Sequence, residues 1–228
     1  WRMRVRGGKG LALVTLTQGD LHYTIDWDLR SLFERGGNVW FALSGHSDWW
    51  NDGNQAVPWI RLEVSDFTGW IAAADDRRVN LSEGGEPEVN AILSADNWNY
   101  KGDENSSDVW TGDGVMMLLP RTDVGAHARR HAVCRSPLSA GQAFELSFDL
   151  TFSKTASTST AAVWAFYLQT EGPEPEMAGV LDNGLGEVTL KNTPGYGIGI
   201  STYGNKPYFW TGLGGKNTAP IVKDFADR

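Results

Sequence analysis

The residues best equipped for chemistry sit together in Gly45-His46-Ser47-Asp48-Trp49-Trp50-Asn51-Asp52-Gly53-Asn54. A pyranose ring presents an apolar CH face that stacks on an aromatic side chain, and a rim of hydroxyls that bond to carboxylate, amide and imidazole groups. His46, Asp48, Trp49, Trp50 and Asn51 supply both kinds of group in one short stretch. Successive side chains on a strand point to opposite faces, so Trp49 and Trp50 cannot both plug the interior. The competing reading is that one of them closes the end of the core. Asp48, Asp52 and Asn54 also offer hard oxygens to calcium, but their spacing matches no EF-hand loop, and an Asx-capped turn accounts for them. No cofactor is therefore expected, with calcium at these three oxygens as the one exception.

Other candidates are weaker. Asp96-Asn97-Trp98-Asn99-Tyr100-Lys101-Gly102-Asp103-Glu104 repeats the aromatic and Asx composition and reads as a solvated loop. His127 and His131 share a strand face about 13 Å apart, too far for one zinc ion. Retaining glycosidases need two carboxyl groups about 5 to 5.5 Å apart. Asp26 and Asp28, both outward and roughly 6 to 7 Å apart on a strand, come nearest, yet an ordinary exposed face explains them. Glu145 and Asp149 lie too far apart along their strand. No P-loop, dinucleotide fingerprint or triad signature occurs, so no catalytic residue is assigned and a non-catalytic role is favoured.

The elements that must position these residues are strands. At 228 residues, with 41% hydrophobic side chains and 11 Trp, the chain can bury a large core and is not disordered. Its formal charge of -8 supplies no basic stripe for a nucleic acid. Arg2, Arg4, Arg6 and Lys9, and then Arg129 and Arg130, read as solvated faces. The apolar runs are far shorter than the roughly 20 residues of a membrane span. Cys134 is the one cysteine, so no intrachain disulfide forms. A start at Trp1 without a signal-peptide pattern suggests a processed chain or a segment of something longer, and the sequons at Asn80 and Asn105 are no more than chance predicts.

Leu21 to Leu29 and Phe144 to Phe152 alternate apolar and polar residues strictly, the pattern of half-buried strands, and Trp59 to Val64 is a weaker copy. Leu11 to Leu16, Val39 to Leu43, Val115 to Leu119, Val163 to Leu168 and Gly197 to Ile200 are short apolar runs bounded by turn residues. One helical turn is expected over Asp28 to Arg35, ended by Gly36-Gly37. The fold class is all-β, an antiparallel β-sandwich or jelly roll.

Several strings resemble the legume-type (L-type) lectins of the concanavalin-like lectin and glucanase superfamily. Gln142 to Leu150, Ala162 to Gln169, Gly184-Leu185-Gly186 and Gly197 to Asn205 follow the order of that family's N-terminal and central strands. Gly10 to Leu16, Leu21 to Leu29, Leu32-Phe33-Glu34 and Val39 to Gly45 resemble its closing segment. The resemblance thus implies one concanavalin-like sandwich over 1–228 in circularly permuted order, with 1–58 similar to the family's C-terminal strands and 59–228 to the rest. Gly199 and Ser201 stand where the family has metal-holding carboxylates, and Ala162 or Val163 replaces its sugar-binding Asp. Tyr203 and Asn205 match. The implied function is a lectin-like carbohydrate-binding module, extracellular or on a cell surface. Its ligand groups would be His46, Asp48, Trp49, Trp50, Asn51, Tyr203 and Asn205. The partner is a glycan or a protein, with no nucleic acid and no membrane span. The alternative is a structural module, part of a larger assembly, that has lost its metal-dependent sugar site; a polysaccharide hydrolase or lyase comes third.

Overall fold

In the computed structural model the described residues are 1–48, 60–73, 89–92, 97–102, 110–112, 115–119, 128–154, 161–170, 172–173, 195–201 and 206–212. The chain opens with a three-stranded meander: β1 (Arg2–Gly8), β2 (Leu11–Gln18) and β3 (Leu21–Asp28). Each strand follows from period-two patterning. In β1, Met3 and Val5 are buried between exposed Arg2, Arg4 and Arg6. The two hairpin turns need left-handed backbone, which Lys9 (φ 53) and Gly10 (φ 79) provide in the first and Gly19 (φ 56) in the second.

The helical turn follows as α1 (Arg30–Gly36), which buries Leu32 and Phe33. The Asp28 carboxylate accepts the backbone N–H of Arg30 at its start, and Gly37 (φ 71) turns the chain away at its end. The remaining strands are β4 (Asn38–Asp48), β5 (Ile60–Ala72), β6 (Val89–Ile92), β7 (Trp98–Gly102), β8 (Trp110–Gly112), β9 (Val115–Leu119), β10 (Ala128–Cys134), β11 (Leu138–Ser139), β12 (Phe144–Lys154), β13 (Ala161–Gln169), β14 (Gly195–Ser201) and β15 (Lys206–Gly212).

They form two antiparallel sheets, an all-β sandwich. The first runs β3-β2-β1-β12-β5-β9-β8, with β6 also on β5; the second runs β15-β14-β13-β4-β10-β7, with β11 also on β4. Both sheets interleave strands from residues 1–58 with strands from the remainder. In the first, β1 lies between β2 and β12; in the second, β4 lies between β13 and β10.

Between the sheets lies a core of Met3, Val5, Val14, Leu16, Trp27, Val39, Phe41, Leu43, Leu146, Phe148, Phe166 and Leu168. A chain of rings joins its two walls. Trp27 stacks on Phe166 at 6.4 Å and on Tyr196 at 5.7 Å, and Phe166 meets Phe41 and Phe148. Phe67 stacks on Phe148 and takes the edge of Trp98 at 5.1 Å. The indole N–H groups of Trp27 and Trp98 are buried and have no hydrogen-bond partner among the described residues. Left wholly unsatisfied, each such group would cost on the order of 1 to 3 kcal/mol.

One expectation is corrected here. The stretch from Asp96, read as a solvated loop, contains β7, which pairs with β10 from Trp98↔Cys134 to Gly102↔Arg130. Trp98 is fully buried in the core. Its alternation with Asn99, Tyr100 and Lys101 puts the apolar residues on one face despite the polar composition.

Candidate functional site

His46 and Asp48 both belong to β4, whose register places them near one end of the second sheet. His46 stands opposite Val163 on β13 and Arg129 on β10; Val163 stands opposite Ser201 on β14, and Ser201 opposite Lys206 on β15. Directly opposed residues of antiparallel strands share a face. Arg129, His46, Val163, Ser201 and Lys206 therefore form one row across five strands. At a strand spacing of about 4.8 Å, His46 and Ser201 are about 10 Å apart in the backbone.

The chain leaves β4 at Asp48, immediately before Trp49 and Trp50, and leaves β14 at Ser201, two residues before Tyr203. Both exits lie at the same end of the sheet, because Asp48 faces Ala161, the first residue of β13, and Ser201 faces Lys206, the first of β15. Trp49, Trp50, Asn51, Asp52, Asn54, Tyr203 and Asn205 themselves lie outside the described residues, as does His127. Arg129 and Lys206, which join His46 in its row, were missed by sequence reasoning. Only strand register reveals that Arg129 stands opposite His46.

Further along the same sheet the outer face carries a second apolar layer. Ala42, Val133 and Tyr167 are buried there, with Trp40 packed against them. Val133, Ala42, Tyr167 and Gly197 form a continuous cross-strand row. Part of their cover is visible. The Gln169 side-chain amide donates to the Gly172 carbonyl at 2.6 Å, and the Asn99 amide on β7 donates to the Pro173 carbonyl at 3.1 Å. Gly172 is thus tied to β13 and Pro173 to β7. Burial pushes the Tyr167 phenol well above its ordinary pKa, so it stays neutral. The sequence did hold a signal for this face. Gly195, Gly197, Gly199 and Ser201 alternate with Tyr196, Ile198 and Ile200, so one side of β14 carries little more than backbone. At Gly195 a Cβ would come within 2.3 Å of the Leu168 carbonyl oxygen.

Three carboxylates of the first sheet are committed to ion pairs. Arg2 pairs with Asp149 at 3.3 Å and Arg4 with Glu145 at 2.9 Å, both across β1 and β12. Asp28 is gripped by the Arg30 guanidinium, which holds its carboxyl down at about 2. A general acid needs its pKa raised toward the working pH, so Asp28 does not suit the acid's half of a glycosidase pair. Cys134 is buried, and burial pushes its thiol up to about 11, so it is no ready nucleophile.

Among the described residues no three His, Cys, Asp or Glu side chains are grouped to hold a metal ion. No helix among them is long and apolar enough to cross a membrane. No protein-family model matches the chain, and no curated protein matches its sequence.

Proposed function

We propose that the protein is a non-catalytic, lectin-like carbohydrate-binding module, built on a permuted concanavalin-like sandwich and displayed outside the cell or on its surface. One observation carries this reading. The segments bearing Trp49, Trp50 and Asn51 and bearing Tyr203 and Asn205 start from strand exits at the same end of one sheet, about 10 Å apart across β13. Aromatic surfaces on these segments would stack on sugar rings, while His46, Asp48, Asn51 and Asn205 would bond to hydroxyls.

The test is a glycan array followed by calorimetry. The intact protein is expected to bind a sugar in the millimolar range or tighter, and Trp49→Ala and Trp50→Ala each to weaken binding about fivefold or more, since a stacked ring contributes on the order of 1 kcal/mol. No binding at millimolar sugar would sink the reading. A second reading, an assembly module that docks a larger complex, is favoured by Gly199 and Ser201 standing where the resembling family has metal-holding carboxylates. Loss of assembly by the same two variants, with no glycan effect, selects it.

A further inference from the structure

We propose that the glycan bound at the strand-exit end of the second sheet is acidic, its carboxylate or sulfate groups held by Lys101, Arg129, His131, His46 and Lys206, which strand register gathers on one face. The proposal rests on the carbohydrate-binding reading above and names the ligand class of that same site. His131 on β10 stands opposite Lys101 on β7 and Ser44 on β4. Ser44 and His46 are alternate residues of β4, and alternate residues of a strand share a face. The row through His131 therefore lies beside the row that runs from Arg129 through His46 to Lys206, about 7 Å away along the strands. Both belong to the outer face, since Ala42, part of the second apolar layer, is the next alternate residue of β4.

Charge is sorted unevenly here. The chain as a whole carries a formal charge of -8. Among the described strand residues of this face, however, Asp48 is the one acid, set against Lys101, Arg129, Lys206 and the two histidines. None of these basic residues has an acid directly opposite: Arg129 stands opposite His46, His131 opposite Lys101 and Ser44, and Lys206 opposite Ser201. The first sheet does the reverse, with Arg2 opposite Asp149 and Arg4 paired with Glu145. Basic groups opposed across a sheet repel when both are charged, and a bound anion relieves that repulsion. An arginine fork takes a carboxylate or sulfate through two parallel hydrogen bonds, while lysine adds a point charge. From Arg129 to Lys206 the row crosses four strand spacings, about 19 Å in the backbone, which suits an oligosaccharide bearing repeated anionic groups.

The experiment is an array of uronate-bearing, sulfated and neutral glycans, followed by calorimetry on the best-bound oligosaccharide and on its carboxyl-reduced or desulfated form. Folding of every variant is checked by circular dichroism. Acidic glycans should be preferred, and the uronate and sulfate arms say which anion is held. The neutralised form should bind about tenfold more weakly or worse, and binding should weaken as salt is raised. Arg129→Gln and Lys206→Gln should each lower affinity about fivefold, Arg129→Lys should lower it less than Arg129→Gln, and Arg6→Gln on the first sheet should change nothing. A preference for neutral glycans leaves the carbohydrate-binding reading standing and overturns this one, whereas no binding to any glycan sinks both. Binding of an acidic glycan that ignores both Arg129→Gln and Lys206→Gln also overturns it. So does equal affinity for single-stranded DNA, which marks plain attraction to any polyanion.

Discussion

The two outer faces of this sandwich are built from the same alternating strands and have become opposites. On the first sheet Arg2, Arg4 and Arg6 stand in water, two of them tied to acidic partners on β12. On the second, Ala42, Val133 and Tyr167 are as buried as the interior, and the Pro173 carbonyl is tied to Asn99, which stands opposite Val133. A sheet face exposed to solvent needs only charge to stay soluble. A face that hides an apolar layer must have chain laid over it, and segments laid over a sheet are where binding residues can be placed on a rigid support. The contrast therefore sets the two sheets apart, and the strand that contains His46 and Asp48 belongs to the second.

Substitutions can break this comparison. Tyr167→Ala should behave as a core truncation, costing about 3 kcal/mol or more in chemical denaturation. A loss near zero would mean the layer on the second sheet is not a true interior. Arg4→Ala, which removes an exposed ion pair, should cost less than about 1 kcal/mol in the same assay. A larger loss would give the first sheet's surface a structural weight denied to it here. The smallest effect is expected at Asp28. Its carboxyl is held down to about 2 by hydrogen bonds and charge from Arg30, so the favourable pairing is present above the ordinary carboxylate value near 3.9 and fades as pH falls through about 2. NMR titration should find that low value, and Arg30→Ala should return it toward the ordinary one.

Much of this was legible in the sequence wherever period and composition agreed. Leu21 to Leu29 and Phe144 to Phe152 read as strands and are β3 and β12, and the turn around Leu32 and Phe33 is α1. Where the two disagreed, composition misled. Trp98-Asn99-Tyr100-Lys101-Gly102 alternates, but its Asx-rich setting suggested a loop. Arg2-Met3-Arg4-Val5-Arg6 alternates too; its arginines form the solvated face expected of them, on a strand that charge alone does not announce. Of the candidate site, the sequence supplied His46 and Asp48 but not their row, because Arg129 and Lys206 are far away along the chain and reach His46 only through strand register. Sheet neighbours are set by topology, and no local pattern encodes which strand lies beside which.

The pairing of β1 with β12 also has a meaning in time. Arg4 and Glu145 are 141 residues apart, and β4 must likewise await β13. The meander β1-β2-β3 can form from local contacts early in synthesis. It then holds one finished hairpin edge and one apolar wall open until more than half the chain has followed. Closing such distant pairs is slow, because loop entropy is lost before the contacts repay it. Folding of this chain should therefore be slow for its size, and during that interval the exposed flank of β1 is the place where a chaperone would be most useful and where aggregation would begin.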